Sequence, residues 1–285
     1  ALGPSRRSEI ASFIVMDVLR AATERDRQAQ GEDGRSVHLE IGQPGAPAPE
    51  RVLEAAARAL RGDRLGYTDA FGLPALRARI AAHYRDIYGV EVPAERIVLT
   101  TGSSGAFVLA FLAAFDAGAR VAIAEPGYPA YRNILSALGV ETVGLPVDPR
   151  DRFQPTIARL EAAGRLDGLI VASPANPTGT MLTRGEIGAL AAWCAQKGVR
   201  LVSDEIYHGI VYGDPAATLA GDADAIVINS FSKYFAMTGW RLGWMVVPPD
   251  LIRAVEVLAQ NLFISPPSLP QHAALAAFEC RDELD

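Results

Sequence analysis

Apolar residues recur at helical spacing over positions 9–28, and a polar stretch then runs to about Arg35. The segment 41–49, IGQPGAPAP, has too many prolines and glycines for a ladder or a helix and reads as an ordered loop. Two helices are expected next, one over 50–61 that stops at Gly62. The other starts at Pro74, is apolar at Leu76, Ile80, Tyr84 and Ile87, and stops at Gly89. From position 97 the texture changes. Short apolar runs at 97–101, 121–124, 169–172, 199–203, 226–229 and 242–247 alternate with helical patterns such as 105–114 and 184–197. The second of these helices has Thr183 and Glu186 at capping-box spacing and Gly198 beyond its end. Apolar strands alternating with helices predict an α/β fold of three layers, a mostly parallel sheet covered by helices on both faces.

Composition narrows the function classes. The chain has 285 residues, 49% apolar and 21% charged, enough for a full hydrophobic core. Its uncharged apolar runs reach about nine residues, as at 107–115, whereas a membrane-spanning helix needs about 20. Lys plus Arg total 27 against 33 Asp plus Glu, so a nucleic-acid surface is not expected. Two cysteines, Cys194 and Cys280, exclude a disulfide scaffold and read as small buried hydrophobes. The four histidines show no metal-binding spacing, and His83 falls on an apolar helix face as a semi-buried residue. The N-terminal ALGPSRRSEIASF has no apolar segment, so a cytoplasmic protein is expected.

Ligands of open parallel sheets bind beyond the carboxyl ends of the strands. Five strands here lead into chemically loaded turns: Gly102–Gly105 (GSSG), Glu125-Pro126-Gly127-Tyr128, SPANPTGT, Asp204-Glu205-Ile206-Tyr207 and Ser230-Phe231-Ser232-Lys233. GSSG at a strand-to-helix turn offers free N–H groups and a positive helix end. With Ser230, Ser232 and Arg241 it describes a phosphate pocket. Lys233 is a candidate amine nucleophile whose pKa a nearby arginine would lower. Asp204, at depth, needs a cationic partner such as a protonated ring nitrogen. Asn176 and Tyr207 could hydrogen-bond a phenolic oxygen, and Tyr128 offers a ring face. Together these needs describe pyridoxal 5′-phosphate.

The stretches GQPGAPAP, YTDAFGLPALR, TTGSSGAF, EPGYPAY, SPANPTGT, SDEIYHGIVY and SFSKYFAMTGWRLGW, over about 40–245, resemble fold type I aminotransferases of the aspartate aminotransferase superfamily, class I/II. The resemblance implies pyridoxal-phosphate-dependent transfer of an amino group from an L-amino acid to a 2-oxo acid. Lys233 would form the Schiff base and shuttle a proton between substrate Cα and cofactor C4′. Asp204 would pair with the pyridinium nitrogen, Asn176 and Tyr207 with the ring oxygen, and Tyr128 would stack on the ring. Ser103, Ser104, Ser230, Ser232 and Arg241 would hold the phosphate. Tyr67 would reach the phosphate of the neighbouring subunit, implying a homodimer. Gly42 and Asn176 would face the substrate. The resemblance also implies that residues 1–45 belong to a smaller α+β domain and 46–285 form the large cofactor-binding domain. No residue matches the C-terminal arginine with which this family grips the substrate α-carboxylate, and the rest of the small domain is expected to lie outside these 285 residues.

Blander readings stand beside these. Tyr67, Trp240 and Trp244 could be core aromatics, and for the tryptophans that reading is preferred. Ser103 and Ser104 could be helix caps. Arg241, followed by an apolar strand, is expected to be buried. Glu205 invites a paired-carboxylate glycosidase, but consecutive strand residues face opposite ways. Ser230–Lys233 also matches the SxxK motif of acyl-serine hydrolases, although SDN and KTG are absent. A β-lyase type of reaction would use the same residues, and a regulator fused to an aminotransferase-like domain would need a DNA-binding module not found here.

Overall fold

The computed structural model describes residues 2–29 and 34–285. Part of the expected polar stretch before Arg35, positions 30–33, lies outside the described residues. Helices α1 (Ile14–Gln28), α2 (Glu50–Gly62) and α3 (Pro74–Tyr88) precede strand β1 (Ile97–Thr100). Then come α4 (Gly102–Ala114), β2 (Arg120–Glu125), α5 (Pro129–Ala137), β3 (Glu141–Pro146) and α6 (Ile157–Ala162). β4 (Gly168–Ala172), α7 (Arg184–Lys197), β5 (Arg200–Asp204), β6 (Ile226–Ser230) and β7 (Gly243–Val246) follow. The helices α8 (Ile252–Leu262), α9 (Ser268–Ala277) and α10 (Arg281–Leu284) close the order.

The seven strands form one sheet in the order β1-β7-β6-β5-β4-β2-β3. β7 pairs antiparallel with both β1 and β6, and every other pairing is parallel. The five strands singled out for their turns therefore point the same way and end on one edge. Side chains alternate between two cores. Leu169, Val171, Leu201 and Val227 pack with α2, α3, α7 and α9, and Ile170, Val202, Ile226 and Ile228 pack with α4, α5 and α8. Both sheet faces are covered, so the strands are apolar throughout rather than alternating.

Several local expectations hold. Thr183 and Glu186 form a reciprocal capping box on α7, and Gly198 ends it in the left-handed conformation at φ 67°. Pro74 opens α3 and Gly89 closes it at φ 67°. Others are corrected. The first helix begins at Ile14 rather than position 9, and none of its residues is buried. Its apolar stripe, Ile14 and Val18 included, stays exposed instead of packing on this chain. α4 begins at Gly102, three residues before the expected start, because the first turn is already helical at the glycine.

Candidate active site

Register on β5 sorts the two acids at its end. Asp204 is in phase with Val202 and faces the α4–α5 side, and Glu205 falls on the opposite side. The Asp204 carboxylate is 4% exposed. It accepts a hydrogen bond from Tyr131 OH on one oxygen and from the Ile206 N–H, at 3.0 Å, on the other. Burial pushes its pKa from 3.8 up to about 6, against the pull of the Tyr131 hydrogen bond. Two donors thus leave a carboxylate whose charge is incompletely satisfied, and a protonated ring nitrogen fits that need.

Glu205 is 1% exposed and takes no part in this site. Its carboxylate accepts from Thr218 Oγ1 at 2.7 Å, the Leu219 N–H at 2.9 Å and Ser203 Oγ at 3.2 Å. The paired-carboxylate reading is thereby set aside.

The loop after β6 carries the amine. Lys233 is half-buried, and its Nζ donates to the Gly42 carbonyl. The same nitrogen lies 5.9 Å from the Tyr207 ring centroid. Desolvation lowers the Lys233 pKa, and the Arg241 guanidinium lowers it further. A partly neutral amine is what a carbonyl-condensing nucleophile requires. The Tyr207 hydroxyl accepts from Asn176 Nδ2 at 3.4 Å, so the two proposed ring-oxygen donors meet.

The anion end is built where β1, β6 and β7 end or begin. Ser230 Oγ lies 3.0 Å from the Leu242 carbonyl and 2.9 Å from Ser232 Oγ, and it accepts the Ser232 N–H at 3.1 Å. Arg241 Nη1 donates to Ser232 Oγ at 3.4 Å and to the Thr238 carbonyl at 3.0 Å. Among the described residues no carboxylate lies within ion-pair distance of this guanidinium. It spreads over Gly102, where any Cβ would collide with it. Gly243 is packed as closely, since a Cβ there would sit 3.0 Å from the Ser103 amide nitrogen. These two glycines bring an unpaired guanidinium, two hydroxyls and the first N–H groups of α4 to one corner, a cradle that fits a phosphate.

Two expectations are corrected here. Arg241 is exposed rather than buried, because it covers this corner from its solvent side instead of entering the core. Ser103 and Ser104 are not caps. Thr101 holds the N-cap position without a side-chain bond, and the serines lie inside the first turn with free amides. Trp244 is fully buried and Trp240 partly so, as preferred for core aromatics. Tyr67 is 83% exposed and is not a core residue. Tyr128 sits edge-on to Tyr131 at 5.3 Å and to Phe13 at 5.8 Å, so the N-terminal segment reaches the site through Phe13 as well as Gly42. Tyr131 was not among the expected residues. Its spacing of three from Tyr128 at a helix start places both on one face and could have pointed to it.

This arrangement agrees with the comparisons to known proteins. Residues 35–284 match the family described as Aminotransferase class I and II. The chain belongs to that family. A valine–pyruvate aminotransferase of Mycobacterium tuberculosis is 55% identical over 276 residues, covering 95% of this chain and 70% of that protein. The crystal structure of an aminotransferase from the same organism superposes with a TM-score of 0.95 at 52% identity, over 100% of this chain and 74% of the other. Aspartate aminotransferase of Thermus thermophilus with maleate gives a TM-score of 0.91 at 30% identity, over 100% and 76%. The chain is accordingly a pyridoxal-phosphate-dependent transferase that moves an amino group between an amino acid and a 2-oxo acid. No described helix is long and apolar enough to cross a membrane.

Proposed function

We propose that Lys233 holds pyridoxal phosphate as a Schiff base and that the enzyme passes the amino group of an aliphatic amino acid such as valine to pyruvate. The juxtaposition of Lys233, Gly42, Asp204 and Arg241 at one sheet edge carries the first part. The 55% identity to a valine–pyruvate aminotransferase supports the second.

The cofactor, when bound, supplies an electron sink for the bond broken at the substrate Cα. The chain supplies the rest. Arg241, Ser230, Ser232 and the N–H groups of Ser103 and Ser104 bind the phosphate and fix the ring's long axis. Asp204 would hold a proton on the ring nitrogen. Asn176 and Tyr207 orient the ring oxygen, and Tyr128 closes one face against water. Lys233 Nζ would be the base that takes the proton from the substrate Cα and returns it on the same face. Gly42 and Asn176 face the substrate, and Phe13 beside Tyr128 gives that side an apolar wall. Such a wall suits an aliphatic side chain rather than a second carboxylate.

The exposed Tyr67 supports a homodimer in which it reaches the partner's phosphate site. We also assign residues 1–45 to a small domain and 46–285 to the large one. This rests on the contrast between the described N-terminal residues, which stay largely unburied even along α1, and the sheet domain. Two buried free thiols, Cys194 and Cys280, suit a reducing compartment, and we place the enzyme in the cytoplasm.

Two measurements test the reading. The enzyme is incubated with pyruvate and valine, alanine, aspartate or phenylalanine, and products are identified by mass spectrometry. Valine is expected to be among the best donors, and faster turnover of aspartate than valine would overturn the substrate proposal. Lys233→Ala should fold, lose the visible absorbance of lysine-bound cofactor and lose turnover. Normal transamination by this variant would overturn the assignment of the amine.

A further inference from the structure

Asn176 and Tyr207 come from different loops, the first after β4 and the second after β5. The β4–β5 ladder ends at the pair Ala172 and Asp204. One more backbone bond follows, from the Ser173 N–H to the Asp204 carbonyl at 3.3 Å. Past that point the loops are joined by a side chain. His208 Nε2 lies 3.1 Å from the Ser173 carbonyl. A carbonyl only accepts, so this nitrogen carries the hydrogen. Nδ1 lies 3.1 Å from Tyr88 OH and 3.5 Å from Glu205 Oε2. The imidazole is 2% exposed and is held at both ring nitrogens, Nε2 donating to Ser173 and Nδ1 accepting from Tyr88. Its own backbone N–H returns to the Glu205 carbonyl at 3.0 Å. Gly209, next in the chain at φ 89°, lets the turn lie flat against the Tyr234 ring, beside Lys233.

We propose that His208 is a positioning residue that sets Asn176 and Tyr207 at a fixed separation from Asp204. It does so by tying the Ser173 end of the Asn176 loop to the turn that carries Asp204 and Tyr207. Tyr88 OH on Nδ1 and the backbone bond from the His208 N–H to the Glu205 carbonyl anchor the tie, and the donors on the Glu205 carboxylate hold that residue in place. The inference rests on the reading that Asn176 and Tyr207 bond the cofactor's ring oxygen.

The test compares His208→Gln, His208→Asn and His208→Ala in the cofactor-loaded enzyme with Asn176→Ala as a control. Glutamine can place a donor where Nε2 stood, and asparagine only where Nδ1 stood. Two readouts are taken, the dissociation constant for pyridoxal phosphate and the pH midpoint of the bound cofactor's colour change. Donors on the ring oxygen stabilise its deprotonated partner, so loosening them should raise that midpoint. The asparagine and alanine variants should bind cofactor roughly fivefold more weakly and shift the midpoint upward. The glutamine variant should restore both. If Asn176→Ala moves the midpoint and the asparagine and glutamine variants behave alike, the role of His208 is overturned. If Asn176→Ala leaves the midpoint unmoved, the ring-oxygen reading itself falls, and this inference with it. Should the alanine variant not fold, the glutamine–asparagine pair decides alone.

Discussion

Asp204 and Glu205 stand side by side at the end of β5, both almost inaccessible to solvent, and the fold treats them differently. Glu205 faces the α3 side and receives three hydrogen bonds from the surrounding chain. Asp204 faces the α5 side and receives two, and burial leaves its pKa at about 6. The first carboxylate is finished by the protein alone. The second is left with two donors, room for the cation we propose it meets. A buried acid with too few donors costs stability and persists where function needs the unmet charge. The contrast sets the acid we propose to be functional apart from a structural one without appeal to their positions in the sequence.

The largest expected difference between them is in rate. Asp204→Ala should retain cofactor through the phosphate cradle and Lys233, yet lower kcat about 10³-fold, because one preorganised charge facing developing charge is worth that much. Single-turnover absorbance kinetics would check it, and a loss below tenfold would break the comparison. Glu205→Ala should act mainly on the fold. It leaves the donors of Ser203, Thr218 and Leu219 without a partner, at about 4 kcal/mol in sum. Denaturant unfolding at pH 7 measures this loss.

Much of this was readable beforehand, for a physical reason. Strands covered on both faces are apolar at every position, so 169–172 and 226–229 stood out, and whatever follows such a strand must lie at the sheet edge. Asp204, Ser230, Ser232 and Lys233 were found that way. β3 was not found. It is an edge strand, its Thr142, Val143 and Gly144 only half-buried and its run ended by Pro146, so the apolar pattern is diluted. Tyr131 and His208 were missed because they act through other side chains across helix and loop, where no local spacing records the contact. Arg241 stands beside Ser232 but is exposed where burial was expected, since an apolar strand following an arginine says nothing about which way the arginine turns.

The raised pKa of Asp204 has a signature in stability. A carboxyl that titrates at about 6 when folded and near 3.8 when unfolded binds its proton more tightly in the folded state. Its contribution is fully present below about pH 4 and is lost as pH rises through about 6. Asp204→Asn keeps an acceptor for the Ile206 N–H and removes the charge. In cofactor-free protein it should be more stable than wild type at pH 7 by about 2 kcal/mol, with the two converging near pH 4. Glu205→Gln, compared in the same series, should show no such gain at pH 7, which sharpens the distinction.

The smallest expected effect isolates the one phenol. Tyr131 is fully buried, and burial together with the neighbouring Asp204 charge raises its own pKa well above 10, so its hydroxyl donates throughout the working range. That donation lowers the Asp204 pKa against desolvation. Tyr131→Phe removes the donor and nothing of the ring packing against Phe107 at 5.1 Å. Asp204 should then titrate above about 6, and the pH at which cofactor-free protein stops losing stability should move upward with it. In the loaded enzyme the ring nitrogen's cation replaces most of the lost donor, so kcat should fall by about threefold, far less than on removing the acid. An unchanged titration of Asp204 in the phenylalanine variant would mean that the amide of Ile206 alone sets the charge. The contrast with Glu205 would then lie in desolvation rather than in the number of donors.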